Sequence, residues 1–226
     1  MLNTTTLQPN TLQLDRLAEA ARYALLRRLA PALRHDMAGA LQPISMVAVL
    51  LEKRLQKPEP DLAVISKNVH NINTLTREAS ITCMQLMSWL APKQDAVVAV
   101  HEGVQEAMSL VATELSFQGV NLVNETEGTS ATLPVTVLRG LFMASLLALT
   151  DSHRGPATVV LGTTVADGHP VLTLALTAMA GKGGDDAISA SPAYRALDWD
   201  DVQALAAVES VFLVRSTGRV ELHFQS

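Results

Sequence analysis

The sequence predicts an α+β protein. A long N-terminal helical hairpin over residues 12–91 dimerises into a four-helix bundle, and an α/β sandwich follows over residues 96–226. Three observations carry this prediction. Apolar residues recur at three- and four-residue steps from Leu12 to about Lys57, and again from Leu62 to Leu90. Lys57-Pro-Glu-Pro-Asp61 separates the two runs, and its prolines cannot continue a helix. From Val97 onward, short β-rich runs alternate with helical ones and carry hairpin-turn dipeptides.

The first helix carries Leu14, Leu17, Ala21, Leu25 and Leu29, then Leu33, Met37, Ala40, Ile44, Val47 and Leu51, as one apolar stripe. Pro43 lies inside it and deletes a backbone hydrogen bond, so a kink is expected there, at about 3 kcal/mol for an unsupported site. Asp61 is placed to cap the second helix. In that helix Leu62, Ile65, Val69, Ile72, Thr76, Ala79, Cys83, Leu86 and Leu90 form an a/d seam. Two such helices cannot bury all their apolar surface alone. Pairing of two copies into a bundle is the expected solution, and an intramolecular bundle completed by other helices is the alternative.

In the second half, His101 to about Ser116 is expected to be helical, with Val104, Met108, Val111 and Leu115 on one face. Val120–Val123 is a strand, and Leu133-Pro-Val leads into an apolar helix from Val135 to about Asp151. Thr158–Thr164 and Val171–Ala178 are strands around an Asp-Gly turn signal. Asp198–Ala207 is a helix. Val211–Val214 and Arg219–Phe224 form a second hairpin through Thr217-Gly218. Helices on one face of a mixed sheet give the sandwich.

Composition excludes several function classes. Hydrophobic residues make up 48% and aromatics 4% of the 226 residues, so Leu, Val and Ala must fill the core. The net charge of −5 argues against nucleic acid as a partner. The charge is uneven: residues 1–94 hold 11 basic and 7 acidic residues, and residues 95–226 hold 6 and 15. Net values of +4 and −9 fit two domains with different surfaces. Cys83 is alone, so no intramolecular disulfide forms. No charge-free apolar stretch of membrane-spanning length and no signal-peptide pattern is present, so a cytoplasmic protein with no membrane partner is expected.

The most informative segment is Arg34-His-Asp-Met-Ala-Gly-Ala-Leu-Gln-Pro-Ile44. His35 lies two residues from both Leu33 and Met37. Two helical residues turn a side chain by about 200°, so His35 points away from the core. The remaining question is whether it is an idle surface histidine. The adjacent Asp36 suggests otherwise, because a carboxylate that accepts one ring N–H fixes the tautomer and makes the other nitrogen a better nucleophile.

This segment resembles the phosphoacceptor helix of bacterial two-component histidine kinases. It aligns without gaps to the pattern His-Glu-Ile-Lys-Asn-Pro-Leu-Thr-Pro-Ile of nitrogen-regulation sensor kinases. His35, Asp36, Met37, Leu41, Pro43 and Ile44 are retained or similar. The family has Asn or Thr four residues after the His, a position tied to phosphatase activity, followed by Pro; here these are Gly39 and Ala40. Ala38 and Gly39 leave little bulk one turn from His35, and Gln42 lies two turns on along the same face. Arg34, Ala38, Gly39 and Gln42 are therefore the expected partner-binding positions, and His35 with Asp36 the catalytic pair. The alternative for Gly39 is close helix packing.

The order of elements after Val97 resembles the ATP-binding domain of the same kinases, with its nucleotide motifs erased. Met143 and Leu147 fall where the family places two asparagines that hold Mg²⁺ and phosphates, and neither supplies an oxygen ligand. In Met179-Ala-Gly-Lys-Gly183 the glycines of an Asp-x-Gly-x-Gly box survive, but Met179 replaces the adenine-reading Asp. The glycine-rich lid has no counterpart near Tyr194–Asp201. Gly181-Lys-Gly-Gly taken alone is a surface turn before it is a phosphate loop.

The resemblance thus implies a degenerate histidine-kinase ATPase-like sandwich with no cofactor in this chain. It implies a dimeric histidine phosphotransferase that relays phosphoryl groups between response-regulator receiver domains through His35, with Mg²⁺ held by the receiver. The alternatives are a divergent active histidine kinase and a pseudokinase scaffold that docks a receiver or a kinase.

Overall fold

The computed structural model describes residues 11–90, 95–166, 168–179 and 196–224. Two long helices come first, α1 (Thr11–Leu55) and α2 (Leu62–Leu90). The turn between them coincides with the Pro-Glu-Pro break, and Asp61 caps α2 as expected. Its Oδ1 accepts from the backbone N–H of Ala63 at 2.9 Å and of Val64 at 3.2 Å. The helical backbone of α1 continues through both Pro31 and Pro43.

The chain forms two compact units, residues 30–92 and residues 1–29 with 93–226. In the first, Leu33, Ala79, Leu86 and Trp89 are buried. Ala40, Ile44, Val47 and Leu51 on α1, and Ile65, Ile72 and Cys83 on α2, are half-buried. Arg54 Nη1 donates to Oδ1 of the buried Asn68 at 3.1 Å, closing the hairpin near its turn. Met37, expected in the core, is 39% exposed in the single chain. Much of the expected α2 seam is also open, with Leu62, Val69 and Leu90 exposed.

The second unit takes in the start of α1. Ala18, Ala21, Leu25 and Leu29 recur at steps of three and four and are at most 3% exposed. The expected stripe held Leu17 in place of Ala18. Leu17 is exposed, because one residue along a helix turns the side chain by about 100° off that line. The polar edge of this segment is tied to three further helices, α3 (Val100–Phe117), α4 (Met143–Asp151) and α5 (Trp199–Val208). Arg28 pairs with Glu114 of α3 and Asp151 of α4, and Arg22 reaches Glu209, the C-cap of α5, at 3.2 Å. Burial alone would lower the Arg28 pKa. Hydrogen bonding to Asp151, then its charge and that of Glu114, outweigh burial and raise it.

A five-stranded sheet underlies these helices in the order β2 (Val120–Glu125), β4 (Ala157–Ala166), β5 (His169–Ala178), β7 (Arg219–Phe224) and β6 (Val211–Ser216). Only β2 and β4 run parallel, so the sheet is mixed. Cross-strand partners Leu161 and Leu174, Leu174 and Val220, and Leu172 and Leu222 share one buried face. Over that face α3 lies against β2, α4 against β5 and β7, and α5 against β6. Both expected hairpins are present, turned by Gly168 and Gly218 at φ of +83° and +71°, where a side chain would strain the backbone. α5 starts at a capping box. Asp198 Oδ1 accepts from the N–H of Asp201, whose Oδ2 accepts from the N–H of Asp198.

Two features of the second unit's secondary structure also depart from expectation. Val97–Ala99 (β1) pairs antiparallel with Thr132–Pro134 (β3) in a separate small sheet. The helix expected from Val135 winds as a π-helix over Val137–Phe142 before it becomes α4. Three-residue strands show no period, and a π turn leaves no pattern that apolar spacing detects.

The α1 stripe makes Leu25 part of the core of the second unit. Leu25→Ala is expected to cost about 2–5 kcal/mol, read as a lower midpoint in urea unfolding of the whole chain. An unchanged midpoint would mean that α1 only rests on this unit.

Candidate functional site

The site is built on one exposed face of α1. His35 stands with 79% of its side chain exposed and Asp36 with 43%. Their side chains meet, with His35 Nδ1 lying 3.2 Å from Asp36 Oδ1. In the tautomer that this contact favours, Nδ1–H donates to the carboxylate and the Nε2 lone pair is left free. Leu33, two residues earlier, is buried, so the helix period sets the imidazole outward. Met37, which also served to orient the imidazole in the sequence, is 39% exposed in the single chain, so there Leu33 fixes the direction.

Ala38, Gly39 and Gln42 follow at three, four and seven residues from His35 and are all exposed, as is Arg34. Helix geometry puts His35, Ala38, Gly39 and Gln42 on a common face, with Arg34 and Asp36 at its flanks. A Cβ built on Gly39 meets nothing within 4 Å, so close packing within the chain does not explain this glycine. The surface one turn from the imidazole is low and open.

The residues that the resemblance sets against nucleotide-binding boxes lie in the other unit. Met143 and Leu147 of α4 are at most 1% exposed. The hydroxyls of α4 are turned back on its own backbone. Ser145 Oγ donates to Leu141 O at 2.7 Å, and Thr150 Oγ1 to Leu146 O at 3.0 Å. Met179 follows β5, half exposed, and its sulfur accepts from Thr158 Oγ1 at 3.4 Å. The Gly181-Lys-Gly-Gly stretch and Tyr194 lie outside the described residues. Among the described residues there is no cluster of His, Cys, Asp or Glu that could hold a metal ion. No described helix is long and apolar enough to cross a membrane.

No family model matches the chain, and no curated protein matches it. Several solved structures are similar in outline. A bacterial phosphotransferase is 14% identical with a TM-score of 0.39, covering 96% of this chain and 98% of that one. A histidine kinase from Burkholderia phymatum is 15% identical with a TM-score of 0.40, covering 87% of this chain and 96% of that one. A histidine kinase in complex with a response regulator protein is 13% identical with a TM-score of 0.41, covering 96% of this chain and 67% of that one. At these identities and overlaps, no residue role passes from those proteins to this chain.

Gly39 lies mid-helix with open space around its missing Cβ. Gly39→Ala is therefore expected to stabilise the hairpin by roughly 0.5–1 kcal/mol, visible as a melting temperature raised by a few degrees. A destabilised variant would show that this surface is covered in solution.

Proposed function

We propose that the protein is a histidine phosphotransferase that exchanges phosphoryl groups with response-regulator receiver domains through His35. The observation that carries this is the exposed imidazole with Nδ1 held 3.2 Å from Asp36 Oδ1. An exposed histidine with one nitrogen engaged by a carboxylate is oriented as a nucleophile rather than left idle.

The chemistry is a reversible exchange. The Nε2 lone pair of His35 attacks the phosphorus of an aspartyl phosphate on the receiver. A P–N bond forms, the acyl P–O bond breaks, and the receiver carboxylate leaves. The imidazole becomes positively charged in this step, and Asp36 at Nδ1 offsets that charge while keeping the ring in place. Return of the phosphoryl group to a second receiver reverses each bond change. The receiver supplies Mg²⁺, so the work left to this chain is positioning. Small residues at Ala38 and Gly39 admit a partner surface close to Nε2, while Arg34 and Gln42 offer polar contacts beside it.

Two further observations support a relay rather than a kinase. The positions that would carry Mg²⁺ ligands are the buried apolar Met143 and Leu147, and a thioether stands where adenine would be read. We also propose that two copies pair through the hairpin. In a single chain Val69, Ile81, Met84 and Met87 of α2 are exposed, Met84 by 76%, which is more apolar surface than an isolated hairpin leaves to water.

Incubation with a panel of phosphorylated receivers is expected to label the wild-type chain, and His35→Gln to take no label. Asp36→Asn is expected to slow labelling about 10- to 100-fold. Labelling directly from ATP would instead identify a kinase, and a His35→Gln protein that still relays would exclude this mechanism. Light scattering is expected to give about twice the 24.2 kDa chain mass, and Met84→Glu to shift the protein toward the monomer. A wild-type mass of one chain would remove the proposed pairing.

A further inference from the structure

A cleft unrelated to His35 lies in the other unit, where the C-terminal end of α4, the start of α5 and the β6–β7 turn meet over the end of β5. Its volume is about 700 Å³, within the usual range for small-molecule sites. Leu149, Leu176 and Ala178 give it apolar walls, and Trp199 and Arg215 line it together. The Arg215 guanidinium carbon sits 4.8 Å from the centre of the Trp199 ring, so the cation is stacked on the indole. Such stacking uses the face of the guanidinium and leaves its N–H edge free to donate.

Two polar groups here are unanswered. Arg215 is exposed and no acceptor among the described residues meets it, so its N–H edge is open to a ligand. His153 also lines the cleft, and its Nε2 is buried with no hydrogen-bond partner. A buried polar atom left unpaired costs about 1–3 kcal/mol, so the His153 nitrogen in the wall of the cleft that Arg215 also lines needs an explanation. Both groups can donate a hydrogen bond. They stand out in a stretch, residues 95–226, whose net charge is −9.

We propose that this cleft binds a small organic anion with a planar apolar body, of the aromatic carboxylate class. The carboxylate would accept from Arg215 and from His153 Nε2, and the ring would lie against Leu149, Leu176 and the indole. A bare inorganic anion would leave the apolar walls empty. A neutral aromatic would leave Arg215 and His153 unpaired. The sequence gives no sign of the site, because the end of α4 with Leu149 and His153, Leu176 of β5, Trp199 of α5 and Arg215 of β6 meet only in the folded unit.

The test is a ¹⁹F NMR titration of the full chain with 4-fluorobenzoate, run beside inorganic phosphate and ADP. Saturable binding in the range of about 1 mM is expected, as suits a fragment of this size. Arg215→Gln and His153→Gln should each weaken it about tenfold or more, while Arg154→Ala, outside the cleft lining, should not change it. Far-UV circular dichroism checks that each variant is folded. Absence of saturation by about 10 mM, or equal binding to the Arg215→Gln protein, would overturn the proposal. So would phosphate binding as tightly as fluorobenzoate, or ADP alone binding in an Arg215-dependent way.

Discussion

The structure depends on α1 serving two ends with two different faces. Through Leu29 the helix buries an alanine- and leucine-lined stripe in the unit that also contains the sheet. Past Leu33 the same helix turns His35 and its neighbours to solvent. Each helical residue adds about 100° and 1.5 Å, so the buried Leu33 sets the direction of His35 two residues on with no contribution from loops. The Arg28 pairs with Glu114 and Asp151 reinforce the first end. The second end needs only that nothing cover the imidazole.

The His35 site is sparse, and the proposed exchange requires little of it. Phosphoryl exchange with an aspartyl phosphate asks for a neutral, outward nitrogen and a way to steady the positive ring that forms. Asp36 answers the second need from the adjacent position. The low surface at Ala38 and Gly39 leaves the room that the proposed partner would need. The proposed chemistry does not call on the second unit to bind a nucleotide, and its helix α4 buries Met143 and Leu147, which offer no oxygen ligand.

Much of this was legible in the sequence where local physics decides. The Pro-Glu-Pro break, the Asp61 cap and the α2 stripe gave both ends of α2, and the two Gly-containing turns placed two hairpins. His35 and Asp36 were visible because helix period and side-chain chemistry act over neighbouring residues. Harder features depend on distant partners. The β1–β3 pair joins strands more than thirty residues apart, and the Arg28 pairs reach over eighty residues or more. Leu17 and Ala18 look equally suited to a stripe until the packing surface is known, and Met37 looks like core until the number of helices around it is fixed.

The central claim is that Asp36 holds Nδ1 so that Nε2 reacts. The most direct measurement is ³¹P and ¹⁵N NMR of the chain after labelling by a phosphorylated receiver, with ¹⁵N in the histidine ring, to find which nitrogen of His35 carries phosphorus. A P–N coupling to Nε2, with Nδ1 still protonated, is the predicted result. Phosphorus on Nδ1, or on any histidine other than His35, would contradict it.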